Sequence, residues 1–396
     1  MYSSFSFKLI KSVFTIVSLM GFSPITWNEK KQIFDCHSLI TQLRVCFNLV
    51  GVYVYTICLI PYNLIQTRKT KDFQQFNYTF VVWLCSLIGN LMVSTQFFRC
   101  DQICQILNGY FLYLRKFEAQ YVRQHKRERN AMDHFINTMS VWIVVLIPGA
   151  GLLIITHYFV FPRSAPYMTY LIPDIYFFTC IYIGQGLVLM FSTVGLSLLL
   201  AGLMLMMINF FAYAGVIYKR ELKLGLDSSK YIANPQLRQV SHLTRNWRAL
   251  ELIIIYGCNI LGFTIIPLQT ILSQLSLFCN VTFVLFGDHL ELKSKFALPF
   301  LSINCIIGWC IFLSLAGKLF TSTKATLGSW KFSQWPDKKT RMFMKRYKKS
   351  CQPYSIHVGK YMVVRPKSVL NFLRASSRGT FRALVALRKA LAIQKH

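Results

Sequence analysis

The chain is 396 residues long, 54% hydrophobic and only 15% charged, with 44 Lys and Arg against 14 Asp and Glu. Ordinary soluble domains carry roughly 25% charged residues, so a chain this apolar cannot cover its own surface with polar groups, and lipid must be part of its solvent. The net charge of +30 does not point to nucleic acid, because the basic residues lie between apolar blocks, where they set topology, and no nucleic-acid motif accompanies them.

At the start of the chain, Lys8 and Lys11 precede the apolar stretch 13–22, which imitates a signal peptide. A small-x-small cleavage site is missing and Pro24 and Trp27 follow, so a retained cytoplasmic lead-in over 1–43 is expected. About 20 apolar residues cross the ~30 Å hydrocarbon layer as a helix. Spans are expected at about 44–65, 76–98, 138–160, 176–217, 251–286 and 298–317, with a weaker seventh at 366–390. No internal repeat or linker divides them. The expected fold is all-α: one polytopic domain over 1–396, seven transmembrane helices, a cytoplasmic N-terminus and an extracellular C-terminus.

Two blocks are too long for one perpendicular crossing. Residues 175–218 carry no charge at all and would extend ~60 Å as a helix, so they are two spans turning near Gly184 and Gly186 or one helix projecting beyond the bilayer. Charge decides. With one span here and one at 251–286, the segments 1–44, 99–137, 218–250 and 318–360 all face the cytoplasm and hold 30 Lys and Arg, against 6 in the outer loops. Splitting either block would turn the richest basic segments outward, against the positive-inside rule. Lys126, Lys230 and Lys345 are then cytoplasmic. The sequons at Asn77 and Asn280 fall at span ends facing the expected outside.

Chemistry-bearing motifs are sparse. The twelve cysteines lie mostly in apolar runs without a CxxC pair. Cys100 and Cys104 stand one helical turn apart with no His pair at ligand spacing, so they read as small hydrophobes. No metal, cofactor or enzymatic activity is expected. His157 is the one histidine within the spans, and the acids Asp174, Glu251, Asp288 and Glu291 sit at span ends or in loops, unlike the paired intramembrane carboxylates of a proton pump. Gly195-Leu196-Ser197-Leu198 lacks the second glycine of a nucleophile elbow. Aromatic residues are abundant (33 Phe, 20 Tyr, 7 Trp) and many gather at the outer ends of the second to fourth spans, among them Tyr78, Tyr167 and Tyr170. An interfacial belt accounts for many of them; an apolar cavity with a few polar tips accounts for the rest. Trp83, His157, Tyr158, Tyr182 and Asn304 are the candidate ligand contacts.

The C-terminal stretch has Lys367, Asn371, Arg374, Arg378, Arg382 and Lys389 on one side of a helical wheel and Leu370, Leu373, Leu384, Leu387 and Leu391 on another. Arginine in hydrocarbon is costly unless it meets water. Such a helix lines an aqueous pore or lies flat on the cytoplasmic surface.

The layout resembles the insect-type gustatory and odorant receptor superfamily. Leu19-Met20-Gly21-Phe22-Ser23-Pro24 with Trp27 is similar to the family's lead-in, and Gly328-Ser329-Trp330-Lys331 and the run from Ser350 to Gly359 resemble the basic stretch before its last span. Ser368-Val369-Leu370-Asn371-Phe372-Leu373 looks like the start of that span. The resemblance implies a tetrameric ligand-gated cation channel, homomeric or heteromeric, with or without a co-receptor, in the plasma membrane. It would bind a small odorant or tastant between the outer halves of the second, third, fourth and sixth spans. On the last span it implies Thr380 and Arg382 as pore positions, Leu384 as an apolar gate position, Leu387 in place of a glutamine and Arg388 in place of a phenylalanine at a second gate. Four guanidinium groups in a ring there would oppose cation flow. Two other classes compete: a six-span transporter or enzyme with its basic C-terminal helix on the inner leaflet, and a G-protein-coupled receptor. The latter requires an outside N-terminus and leaves most basic residues outside.

Overall fold

The computed structural model describes residues 4–36, 38–70, 72–122, 131–171, 175–290, 292–332, 335, 337–358 and 362–393. Lys126, Asp174, Glu291 and Gly359 lie outside the described residues. The chain is helical almost throughout, as a lipid-solvated backbone must be when each N–H and C=O needs a partner within its own segment.

Among the described residues, six helices are long and apolar enough to cross a membrane. The first joins α2 (Leu39–Val54), a π-helical turn at Tyr55–Leu59 and α3 (Ile60–Lys69). The others are α4 (Phe73–Phe98), α6 (Ala131–Val160), α7 (Ile175–Val216, extended by a π turn to Glu221), α8 (Val240–Phe286) and α9 (Leu292–Phe332). Helix α5 (Cys100–Tyr121) follows α4 directly, α10 (Lys338–Ser350) is strongly basic, and α11 (Ser368–Ile393) closes the fold. At 26 residues α11 is long enough to cross but too basic to qualify by composition. The uncharged block and the block from 251 are each one unbroken helix, of 42 and 47 residues. Helices α7, α8 and α9 outrun the hydrocarbon thickness because their inner halves continue beyond it into a basic, packed region. "Outer" and "inner" below follow the orientation given by the charge distribution.

The lead-in is built into the bundle. Helix α1 (Ser4–Leu19) packs on α7 with Ile10, Val13, Phe14 and Val17 buried. A side chain at Gly195 would collide with the Phe22 ring and one at Gly202 would press on Val13. These two glycines of α7 therefore let the lead-in approach its backbone. Behind α1, strands β1 (Thr26–Asn28) and β2 (Ile33–Asp35) form an antiparallel hairpin. Asn28 Oδ1 accepts from the N–H groups of Lys30 and Lys31, both at 3.1 Å, to form its turn. Asn108 of α5 pins the hairpin by bonding both the N–H and the carbonyl of Phe34 at 2.8 Å.

At the inner end, Trp247 of α8 is wholly buried, with Tyr218, Trp330 and Tyr354 around it at ring separations of 4.9, 4.9 and 5.1 Å. Hydrogen bonds stitch the same region. Trp330 Nε1 donates to the Leu222 carbonyl at 3.0 Å, Thr326 to the Tyr218 carbonyl at 2.5 Å, and Tyr347 to the Thr244 carbonyl at 3.1 Å. The wholly buried Glu221 accepts from the N–H groups of Ile232 and Ala233 and lies 3.5 Å from Arg220. A second hairpin, β3 (Ile356–Val358) with β4 (Met362–Val364), lies against α8 and α9 and leads into α11.

Candidate functional site: the outer aromatic cluster

At the outer end of the bundle, the short segment 161–171 folds back among the spans, held by its backbone. Asn63 donates to the Ala165 carbonyl, Tyr55 donates to the Pro166 carbonyl at 2.9 Å, and Gln75 Oε1 accepts from the Ala165 N–H at 3.0 Å. Gln185 Oε1 accepts from the Thr169 N–H at 3.1 Å, and Thr169 in turn donates to the Pro162 carbonyl. Loop backbone placed this deep must find partners, and long polar side chains from α3, α4 and α7 supply them.

This folding inserts Tyr167 among the spans. Its hydroxyl meets Tyr78 Oη at 3.1 Å and His157 Nδ1 at 3.1 Å and donates to the Ile154 carbonyl at 3.2 Å. A tyrosine hydroxyl has one proton and two lone pairs. If the proton goes to Ile154, Tyr78 and His157 Nδ1 are both donors, which fixes the imidazole tautomer with its acceptor at Nε2. Burial, foremost, and the neighbouring Tyr78 push the Tyr167 hydroxyl far above the usual phenol range, so it stays neutral. The Tyr78 and His157 rings stack at 3.6 Å. Tyr158 packs edge-on to Tyr167 at 4.7 Å, stacks on Tyr182 at 5.4 Å and donates to the Tyr182 carbonyl at 2.7 Å. Gly186, one turn along α7, leaves room for the Tyr158 and Phe159 rings.

Of the five residues expected to contact a ligand, the structure gathers His157, Tyr158 and Tyr182 here. Trp83, on α4, turns instead to the first span. The π turn leaves a helical carbonyl there without its usual partner, and Trp83 Nε1 donates to it, at Thr56, at 3.0 Å. Asn304 is not brought to the cluster: its amide bonds the Phe300 carbonyl of its own helix at 2.8 Å. Tyr78, Tyr167 and Gln185 complete the cluster. The sequence signal for Gln185 was an amide in the outer half of an uncharged block. Asn90, two turns below Trp83 on α4, is also buried, and neither of its amide side-chain atoms has a partner among the described residues. Buried polar atoms of this kind call for an explanation, and a bound molecule would supply one.

The cluster is filled by its own rings. Open clefts lie elsewhere: one of about 570 Å³ beside Ser377, Arg378, Phe381 and Arg382 on α11, and one of about 400 Å³ along the basic face of α10. Helix α11 rests on α8 and α9. Phe372 is buried, Gly379 faces Leu277, and Thr380 and Leu384 are half-buried, a spacing that marks one helical face. Arg374, Arg378, Arg382, Leu387 and Arg388 are exposed, and Phe381 is 69% exposed. The sequons fall inside helices: Asn77 is buried in α4, and Asn280 Oδ1 accepts from Ser302 at 2.8 Å.

No protein-family model and no curated protein sequence matches the chain. Among solved structures, the insect olfactory receptor OR5 from Machilis hrabei superposes with a TM-score of 0.67 at 12% identity, over 96% of this chain and 97% of that one. The structure of OR5 in complex with eugenol superposes with a TM-score of 0.64 at 11% identity, over 97% and 98%. The likeness therefore runs end to end. The chain has the all-α, polytopic membrane fold of an insect olfactory receptor, as the layout of its sequence implied.

Proposed function

We propose that this chain, having the insect olfactory receptor fold, is a chemosensory receptor for odorants or tastants. It acts in the plasma membrane as a subunit of a ligand-gated cation channel, not as an enzyme. The observation that carries the reading is the superposition over 96% of the chain. Eugenol, a small and largely apolar molecule, is bound in the OR5 complex; this chain takes ligands of the same class at the outer aromatic cluster. Neutral rings with few polar tips suit such molecules. Because the cluster is filled, a ligand enters by displacing rings, Tyr158 and Tyr182 first. Helix α7 carries that displacement to α9, and α8 and α9 hold α11. The ligand shifts the pore only by the amount it prefers one arrangement of these helices over the other.

Helix α11 lines the pore in a tetramer, where other copies cover its exposed rings and arginines face water at successive turns. Arg382 and Arg388 in all four copies would repel cations, so the chain conducts beside a less basic co-receptor. Recording odorant- and tastant-evoked currents tests this: none is expected from the chain alone, current appears with a family co-receptor, and neutralising Arg382 and Arg388 together gives homomeric cation current. Robust cation current from the unmodified chain alone would refute the co-receptor requirement. That six helices among the described residues qualify as spans, α11 not among them, favours a second reading, a six-span protein with α11 on the inner leaflet. Terminal tags separate the two, since the channel requires the C-terminus outside.

A further inference from the structure

Sulfur and carboxylate ligands converge at the foot of the bundle, away from both the aromatic cluster and α11. Strand β2 ends at Asp35, Cys36 follows it, and α2 begins at Leu39. Because Asn108 clamps Phe34 by both backbone groups, Cys36 is carried to the first turn of α5. There Cys36 Sγ donates to Asp101 Oδ1 at 3.0 Å. The sulfurs of Cys36 and Cys100 and a carboxylate oxygen of Asp101 lie within 4.8 Å of one another. Cys104 stands one turn further along α5 and is buried.

We infer that Cys36, Cys100, Asp101 and Cys104 form a binding site for a zinc-class divalent metal, which staples the lead-in hairpin to α5. Three sulfurs and one carboxylate are a donor set for a tetrahedral, redox-inert ion. Bond lengths of about 2.3 Å to sulfur and 2.0–2.2 Å to oxygen put tetrahedral ligands about 3.5–4 Å apart, so side-chain rotation brings the three gathered atoms, already within 4.8 Å of one another, onto an ion, with Cys104 as the fourth ligand. Each cysteine that ligates gives up one proton to water. Cys36 and Cys104 are buried, Cys100 is half-buried and Asp101 is exposed, so an ion enters past the carboxylate and ends against the sulfurs. Packing as small apolar side chains accounts for Cys104 alone. It does not account for a buried thiol aimed at a carboxylate with a second sulfur beside it. Spacing along the chain could not reveal the set, because Cys36 comes from a different segment than the other three.

Full-length protein purified in detergent under reducing conditions is titrated with Co²⁺. The expected result is a thiolate-to-cobalt charge-transfer absorption saturating at one ion per chain, displaced by Zn²⁺, lost in Cys36→Ser and Cys100→Ser, and kept in Cys351→Ser, whose sulfur lies in a different part of the fold. Zn²⁺ should also raise the unfolding temperature of the unmodified chain but not of Cys36→Ser, since an ion that binds only the folded state stabilises it by mass action. Should Cys36→Ser fail to fold, Asp101→Asn decides, because it keeps all three sulfurs. Cobalt affinity should fall by about tenfold or more, at least what a lost outer-shell partner costs. Absence of the absorption in the unmodified chain, or unchanged affinity in Asp101→Asn, overturns the site. A Cys36–Cys100 disulfide that forms equally with Zn²⁺ present overturns it too, in favour of a thiol pair.

Discussion

Two clusters of aromatic rings sit at opposite ends of the bundle, with α7 and its π extension common to both, and their hydrogen bonds run differently. In the inner one, around Trp247, side chains bond the backbone of other segments: Trp330 the carbonyl of Leu222, Thr326 that of Tyr218, Tyr347 that of Thr244. Each such bond ties together segments about a hundred residues apart in sequence, so Trp330 and Tyr347 cannot move without breaking a tertiary link, and they enclose the wholly buried Trp247 and Tyr218. In the outer cluster, Tyr78, His157 and Tyr167 bond mainly to each other through one hydroxyl, and Tyr158 leans on Tyr182 of the neighbouring helix. Tyr158 and Tyr167 also donate to the carbonyls of Tyr182 and Ile154, but all these partners lie within the outer ends of α4, α6 and α7 and the 161–171 loop, where a ligand's polar atoms can replace them. The difference teaches that aromatic content alone does not separate a structural anchor from a binding site; what the polar tips hold does.

The comparison breaks most readily at Trp247. Trp247→Ala should destabilise the chain by about 3–5 kcal/mol, the cost of emptying a fully packed aromatic site, read as a lower thermal midpoint in detergent and less protein at the cell surface. A change below the error of that midpoint would mean the inner cluster is not an anchor. Tyr167→Phe, at the centre of the outer cluster, should cost about 1–3 kcal/mol because it leaves Tyr78 and His157 without their shared acceptor. Here the loss should appear chiefly as altered ligand potency, with surface protein close to normal.

The smallest effect concerns α10, which carries the basic face beside the inner cluster. Asp337 caps it by accepting from the Thr340 N–H at 2.9 Å, and hydrogen bonds from Thr340 hold the Asp337 carboxyl below its usual range. A carboxyl lowered on folding contributes stability above its unfolded pKa of about 3.9 and loses that contribution as pH falls through the folded value. Asp337→Ala should therefore speed amide exchange in the first turn of α10 at neutral pH, Asp337→Asn should not, and the unmodified chain should approach Asp337→Ala in strong acid. Equal exchange in all three at neutral pH would remove the cap from the account.

Much of this fold could be read in the sequence. The absence of charge from 175 to 218 and the gathering of Lys and Arg into four segments give long helices in one orientation, because lipid and membrane topology act on composition alone. The lead-in was harder. Its apolar stretch looks like a leader, and only the close approach of Phe22 to Gly195 and of Val13 to Gly202 explains why it is apolar. For the site, His157, Tyr158 and Tyr182 stood out as polar-tipped aromatics near span ends. Asn304 stood out as a polar tip in an apolar span, yet it bonds along its own helix, since composition does not say which way a helix face turns. Tyr167 owes its place to Asn63, Tyr55, Gln75 and Gln185, which hold the loop's backbone from three helices. Side-chain-to-loop bonds of that kind have no period in the sequence.

The most direct test compares two matched deletions. Tyr158 and Tyr347 each donate one phenolic hydroxyl to a backbone carbonyl, at 2.7 and 3.1 Å, in the outer and inner clusters respectively. Tyr158→Phe and Tyr347→Phe therefore remove the same chemical group from the two regions. Ligand dose–response curves of current evoked with a family co-receptor present, normalised to surface protein, should show the half-effective concentration moving up to about tenfold in Tyr158→Phe, the equivalent of about 1.4 kcal/mol. Tyr347→Phe should leave that concentration unchanged while lowering the amount of protein at the surface. Equal shifts in both variants, or a shift in Tyr347→Phe alone, would contradict the assignment of ligand binding to the outer cluster and anchoring to the inner one.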